Sequence, residues 1–246
     1  MNSIEKNWHK FLHDVLENGE KHVKDDDDIL MEHMINHCFI DNVLNQFGNQ
    51  NINTEMFLNM IKQGAFNVKG YPVKDVALYD YVTSMDDVSI RANKNFETGK
   101  DKFTYTYPNR IFNMTERHSD FMVDQFELMI SRLSKKLGGS PGSNRAVANI
   151  YSAPKDCGMS DIPCLQILQA TIRNHELILH CYFRSNDLYG AFPSNMLFLN
   201  YFGLKLVDEL KKEYPLLKFK GISYNSSSLH VYQRDLEQAK KVIGVE

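Results

Sequence analysis

Two runs, Leu165–Arg173 and Glu176–Arg184, are separated by the dipeptide Asn174-His175. Each run has the length of a strand, and a two-residue break between such runs predicts a tight β-hairpin. Pairing across that turn sets Arg184 on the strand beside the one that Cys164 opens. Further strands are expected over 29–40, 146–151, 218–224 and 228–232. Ile4, Trp8, Phe11, Leu12 and Val15 recur at helical spacing, with Gly19 as the stop. Thr54 begins a short helix that Gly64 stops, and another covers 73–82. The polar stretch 86–110 reads as loop. Ser119 starts a helix carrying Phe121, Phe126, Met129, Leu133 and Leu137, ended by Gly138-Gly139-Ser140-Pro141-Gly142. A helix from Ser194 to Lys212 carries Leu197, Tyr201, Leu204 and Leu206 or Val207, and a terminal helix closes the chain. Strands and helices interleave without a strict βαβ period. One α+β domain over 1–246 is expected, an α/β two-layer arrangement of a mixed β-sheet with flanking helices.

The 246 residues are 43% hydrophobic, enough for one full core. A net charge of −3 gives no global field for nucleic acid, so none is expected as a partner. No apolar run approaches a membrane span, and the start, MNSIEKNWHKF, lacks an apolar signal core. No membrane association and a cytoplasmic location are expected. Cys38, Cys157, Cys164 and Cys181 have no C-x-x-C spacing, which argues against a zinc knuckle or a redox pair and for reduced thiols. Asp25-Asp26-Asp27-Asp28 reads as a solvated turn, because four adjacent side chains cannot all face one ion. His33/His37 and His9/His13 lack the glutamate of a metalloprotease helix, so no metal is expected. There is no P-loop and no G-x-G-x-x-G.

The chemistry-bearing residues cluster later. A lone cysteine in such a chain is ordinarily a small buried hydrophobe. Cys164 differs because it follows Pro163 at a loop-to-strand junction, where a thiol can face a cleft. A reactive thiolate needs positive charge nearby, and Arg184 on the paired strand can supply it. Arg184-Ser185 is also a phosphate-binding candidate, since the guanidinium fork matches phosphate oxygens and the hydroxyl adds a donor. Arg145, after the turn 140–144, is another. Each alone reads more readily as a surface arginine. Asn195 offers a donor and an acceptor that match O4 and N3 of uracil, although Ser194 or Asn195 could simply cap a helix. In 228–232, strand alternation puts His230 and Tyr232 on one face, where two polar tips can hold a sugar or merely pack.

Taken together, Cys164, Arg184-Ser185-Asn186-Asp187, Pro193-Ser194-Asn195 and His230-Val231-Tyr232 resemble the thymidylate synthase family, which includes the phage deoxycytidylate and deoxyuridylate hydroxymethylases. Arg184 and Asn195 are eleven positions apart, as in the family's R-S-x-D to P-F-N spacing. SPGSNR (140–145) is similar to its D-P-x-S-R-R turn, VLENG (15–19) to the end of its first helix, and Tyr107 to the tyrosine after its substrate-facing loop. The segments 158–164 and 228–232, and Leu165 where the synthases usually carry a histidine, lean toward the hydroxymethylase branch. The resemblance is clear over about 100–235.

What it implies is a one-carbon transfer. Cys164 would add to C6 of a pyrimidine nucleoside monophosphate, with dUMP the expected substrate, and C5 would then attack a one-carbon unit from 5,10-methylenetetrahydrofolate. Arg184 and Ser185 would bind the phosphate, Asp187 and Asn195 the base, and His230 with Tyr232 the sugar. Arg145 would come from the second subunit of a homodimer with a shared site. The family's N-terminal phosphate arginine falls where this chain has Lys24 and four aspartates, and the first arginine of its R-R pair is Asn144. The family glutamate is placed at Asp75, with Asp80 next. Only 14 residues follow Tyr232, short of the tail expected to close over folate. Two alternatives stay open: a hydroxymethylase acting on dCMP, CMP or another pyrimidine nucleotide in a modified-base pathway, and a nucleotide-binding relative without catalysis.

Overall fold

The computed structural model describes residues 3–23, 29–48, 52–72, 75–83, 105–115, 122–159 and 162–245, leaving aside the side chains of residues 36 and 75–78. Lys24, Asp25–Asp28, most of the stretch 86–110, Ser119 and Phe121 therefore lie outside the described residues.

The N-terminal helix, α1, spans Ser3–Asn18 and buries Ile4, Trp8, Phe11, Leu12 and Val15, the five residues its periodicity selects. It leads into β1 (Glu20–Val23), β2 (Ile29–Asp41) and a 3₁₀ turn over Val43–Phe47. Three helices follow: α2 (Thr54–Lys62), α3 (Asp75–Thr83) and α4 (Tyr107–Phe112). A two-residue ribbon pairs β3 (Met114–Thr115) with β4 (Met122–Val123) ahead of α5 (Gln125–Leu133). Next come β5 (Val147–Asn149), α6 (Ala153–Asp156), β6 (Leu165–Arg173), β7 (Glu176–Phe183) and β8 (Asn186–Asp187). The long helix α7 (Phe192–Lys211), the strand β9 (Lys218–Tyr232) and α8 (Leu236–Ile243) complete the chain.

The main sheet has the order β1-β2-β9-β7-β6-β5. One edge of β9 pairs antiparallel with β2. Its other edge is shared in succession by β7 and β8, both parallel to it. A parallel pair needs a crossover, and α7 supplies it between β8 and β9. Helices flank this mixed sheet, as the interleaved pattern predicts. The helix α7 is apolar almost all round and is buried along most of its length, which is the signature of a central helix. Gly203 lets it approach β9: a Cβ there would sit 2.3 Å from the ring of Phe219. Trp8, fully buried, donates its indole N–H to the Leu188 carbonyl at 2.7 Å, tying α1 to the turn that precedes α7.

The hairpin is the clearest success of the sequence reading. Asn174 and His175 both take positive φ (51° and 61°), as a tight two-residue turn requires. Several boundaries differ. The helix expected from Ser119 begins at Gln125, because Met122–Val123 pair with β3 and the Asp124 side chain caps by accepting from Glu127 N. Leu137 lies beyond that helix and is exposed. The two expected strands 218–224 and 228–232 are one, since Ser226 stays paired with both Ile35 and Phe183. The helix α2 begins at Thr54 as expected, capped by Asn53, which accepts from Met56 N at 2.9 Å. Within the stretch read as loop, Thr106 caps α4 by accepting from Asn109 N.

Candidate active site

The hairpin register pairs Leu165 with Phe183, so Cys164 and Arg184 emerge side by side from its open end. The Arg184 backbone N–H donates to the Cys164 carbonyl at 2.9 Å. The guanidinium then folds back over the loop before β6. Its Nη2 donates to the Ile162 carbonyl at 2.7 Å and its Nε to the Pro163 carbonyl at 3.1 Å. The same Nη2 lies 3.8 Å from the Cys164 Sγ. The sulfur is half-buried, with positive charge held against it, which is what an ionised thiol needs. Arg184 thus spends part of its donor set on main-chain carbonyls, which sequence spacing cannot reveal.

A wall of tyrosines stands on the other side. The Tyr107 hydroxyl accepts from Leu165 N at 3.3 Å. Burial first, and then charge at Cys164, push the Tyr107 hydroxyl well above its ordinary range. Tyr81 is shifted the same way by burial, then by Tyr71 and Cys164. Both therefore stay protonated at neutral pH. Tyr105 and Tyr107 have ring centroids 6.0 Å apart, and Tyr81 and Tyr107 6.4 Å.

Asn195 sits in the first turn of α7 and is nearly buried. Ala191 occupies the cap, so neither Ser194 nor Asn195 is the capping residue. The Tyr81 hydroxyl donates to Asn195 Oδ1 at 2.6 Å, and Asn195 Nδ2 donates to Asn186 Oδ1 at 2.9 Å. On β9, the His230 ring lies 4.9 Å from that of Tyr232, and its Nδ1 is 3.1 Å from Ser228 Oγ and 3.5 Å from Ser185 Oγ. The Arg234 guanidinium stacks 4.1 Å over Tyr232.

Asp187 turns away from this group. Its Oδ1 accepts from Tyr189 N at 3.1 Å and Gly190 N at 2.9 Å, fixing the turn before α7. Burial raises its carboxyl from 3.8 to about 6, against the two N–H bonds that lower it. A raised folded-state value means that the native state holds this proton longer than the unfolded chain does. Stability contributed by the protonated form is therefore lost as pH rises from about 4 to about 6. Asp187→Asn keeps the acceptor and removes the titration. Between pH 4 and pH 7 the wild type should lose about 1–2 kcal/mol relative to this variant, allowing for partial exposure. Urea midpoints at both pH values measure it, and parallel behaviour of the two proteins would contradict it.

Two candidates lie elsewhere. Arg145 is exposed in the turn before β5. Its neighbour Ala146 accepts from Ala170 N, six residues along β6 from Cys164, which places it about 20 Å away. Asp75 begins α3, its side chain outside the described ones, while Asp80 on the same helix is exposed. Among the described residues no group of three or more His, Cys, Asp or Glu side chains could hold a metal ion, and no helix is long and apolar enough to cross a membrane.

Sequence reasoning missed Tyr81, Asn186, Tyr224 and the pair Arg110–Asp156. Arg110 Nη2 meets Asp156 Oδ1 at 2.7 Å and Nη1 meets Oδ2 at 3.3 Å, both residues being buried. This pair ties α4, which carries Tyr107, to α6. Ser152 N also donates to Asp156 Oδ2 at 2.8 Å. The short segment Ala153–Asp156, with Pro154 near its start, gives no hint of it. The variable third position of Arg184-Ser185-Asn186-Asp187 was the available pointer to Asn186.

A family model described as thymidylate synthase matches residues 6–245. A Methanosarcina mazei protein, provisionally named thymidylate synthase, is 31% identical over 141 residues, 57% of this chain and 58% of its own length. A Methanocaldococcus jannaschii protein with the same provisional name is 29% identical over 178 residues, 70% of each. The deoxycytidylate 5-hydroxymethyltransferase of Enterobacteria phage T6 is 35% identical over 108 residues, 40% of this chain and 43% of its own. The match to the Methanosarcina protein spans less than two thirds of that relative's length.

Proposed function

The chain belongs to the thymidylate synthase family, and on that premise we propose that it transfers a one-carbon group to C5 of a pyrimidine nucleoside monophosphate, with dUMP as the substrate. The observation that carries the reading is the Cys164 sulfur held 3.8 Å from the Arg184 guanidinium at the open end of the hairpin. The thiolate lone pair forms the S–C6 bond, and the C5=C6 electrons move to C5, which becomes the nucleophile. Arg184 balances the sulfur before attack and, with Ser185, takes the phosphate. Asn195 meets the base, and His230 with Tyr232 meets the sugar. Asp187 shapes the base pocket by bracing the turn that leads into α7. Tyr107 keeps a protonated hydroxyl beside the sulfur, and Asp75 is the acid assigned to organise removal of the C5 proton, through a bridging water because an aspartate is one methylene shorter than the family glutamate.

Tyr81, Tyr105 and Tyr107 would line one side of a pterin beside Cys164 as an aromatic cluster in which Tyr81 stands edge-on to Tyr107 at 71°. Bound there, 5,10-methylenetetrahydrofolate supplies the one-carbon unit and, for a methyl product, a hydride. Arg145 is exposed and far from Cys164 within its own chain, so it can reach a phosphate only in the site of a second subunit. That favours a homodimer with shared sites. A cytoplasmic enzyme is the setting this chemistry suits.

Mass spectrometry of products from dUMP and dCMP with methylenetetrahydrofolate tests the reading. A C5-substituted dUMP is expected. Tight nucleotide binding without any C5 proton exchange would instead identify a binding protein that has lost catalysis. The similarity to the phage T6 enzyme favours a second reading, in which water completes a hydroxymethyl group on dUMP or dCMP. Asn195→Asp should shift preference toward the cytosine nucleotide by about tenfold or more, since a protonated carboxyl can meet its N3 and amino group. Equal dUMP and dCMP affinities before and after the change would remove the base-reading role.

A further inference from the structure

Two guanidinium groups share one end of the sheet. Strand alternation in β6 buries Leu168, Ala170 and Ile172 in the core and turns Gln169, Thr171 and Arg173 to the other face. Register carries Arg145 to that same face. Val147 pairs with Gln169, Ala148 pairs with Leu168, and the Ala170 N–H donates to the Ala146 carbonyl, so Arg145 falls across from Thr171. Arg173, two positions beyond Thr171, is its diagonal neighbour, with Cβ atoms within about 8 Å. Both arginines are exposed. Arg173 Nη2 donates to Asn144 Oδ1 at 2.7 Å, and Gln169 Nε2 donates to the Asn144 carbonyl at 2.7 Å. The Arg145 N–H is fixed as well, donating to Ser143 Oγ at 3.1 Å. Across the hairpin from Arg173, the Glu176 carboxylate goes to Lys220 Nζ at 2.6 Å.

Two cations held this close repel each other, and an anion between them removes the repulsion. Two guanidinium forks on one spot suit a phosphate dianion, whose oxygens each fork can meet bidentately. Neither arginine can serve the site of its own chain. Arg173 ends β6, nine positions after Cys164, which is about 30 Å of strand. A second copy of the chain removes that distance. On the face that carries Arg173, the cross-strand pair Ile167 and Tyr182 stays 38% and 41% exposed near the Cys164 end. Parallel pairing, as between β7 and β9, is ordinarily covered on both faces. A twofold axis across the strands sets this face against its own copy and runs the two β6 strands in opposite directions. The Arg173 end of one subunit then meets the Cys164 end of its partner.

We propose that Arg173 joins Arg145 in a two-guanidinium clamp that each subunit presents to the nucleotide phosphate in its partner's site, and that the grip of Arg173 on Asn144 aims Arg145 at the same oxygens. Arg184 and Ser185, from the chain that supplies the sulfur, meet that phosphate from the other side. The inference rests on the reading of a homodimer with shared sites. Arg173 is a substrate-binding residue in it, since it touches the phosphate and no reacting atom.

Titration calorimetry of the full chain tests the clamp first. Arg173→Ala should weaken dUMP binding by about tenfold and leave deoxyuridine, which lacks the phosphate, within about twofold of the wild type. Arg173→Lys, which keeps the charge, should recover part of the loss. A merely structural role would weaken both ligands alike, and an unchanged dUMP affinity would leave Arg173 no role; either result overturns the clamp. Mixed dimers then show whose site it serves. Differently tagged Cys164→Ser and Arg173→Ala chains are co-expressed, and the mixed dimer is purified on both tags. Tritium release from C5-labelled dUMP reads only the site that holds the sulfur. That site takes its two arginines from the Cys164→Ser chain, so it should show the wild-type KM. A KM as high as that of Arg173→Ala would put Arg173 to work within its own chain and overturn the clamp. Cys164→Ser mixed with Arg145→Ala separates the two readings. If that mixture recovers the wild-type KM and the Arg173 mixture does not, the shared site stands and the clamp fails. If neither recovers it, the shared-site reading has failed, and the clamp with it.

Discussion

Cys164→Ser should abolish tritium release from dUMP labelled at C5, by a factor on the order of 10³ or more. The serine hydroxyl has nearly the same shape, so the hairpin end and the Arg184 contacts to Ile162 and Pro163 remain in place. What disappears is the anion. The Arg184 guanidinium 3.8 Å from the sulfur favours a thiolate there, whereas a serine alcohol in the same place is a far weaker acid and a poorer nucleophile. Circular dichroism and nucleotide binding confirm that the variant is folded, and release at the wild-type rate would eliminate covalent addition to C6.

Asp156→Ala should cost about 3–5 kcal/mol of stability, a large loss for a single polar substitution. Asp156 is fully buried and is held bidentately by Arg110, which is 3% exposed. Removing the carboxylate strands a guanidinium away from water. Replacing both residues by apolar ones of similar size, Arg110→Met with Asp156→Leu, should recover most of the loss, because desolvation of the two charges no longer opposes folding. Denaturant midpoints of the two variants distinguish the cases. A single variant as stable as the wild type would show that the pair carries no such penalty.

Much of the framework is legible in the sequence because local rules and tertiary demands agree. The five apolar residues of α1 are the five it buries. Asn174-His175 is a turn by its chemistry and by its backbone angles. Where the reading fails, a distant partner decides. Ser226 looks like a break between strands, but pairing on both sides carries β9 straight through it. Met122 and Val123 have helical neighbours, yet β3 claims them. The candidate site divides the same way. Cys164, Arg184 and Asn195 announce themselves by residue type and spacing. Tyr81 does not, because an aromatic on a short helix is ordinarily core, and only the fold brings it against α7. Asp187 announces a base contact by type, but its carboxylate goes to two N–H groups that no spacing encodes.

The turn at Asn174-His175 reaches further than its position suggests. It lies eight residues of β7 from Arg184, roughly 30 Å from the sulfur. Surface turns of most proteins drift in length over evolution at little cost. An extra residue here would slide one strand past the other by one step, swing Arg184 to the opposite side of the sheet and strip the nucleophile of its counter-charge. Natural variation should therefore spare the length of this remote, solvent-facing bend as strictly as it spares the residues that touch substrate.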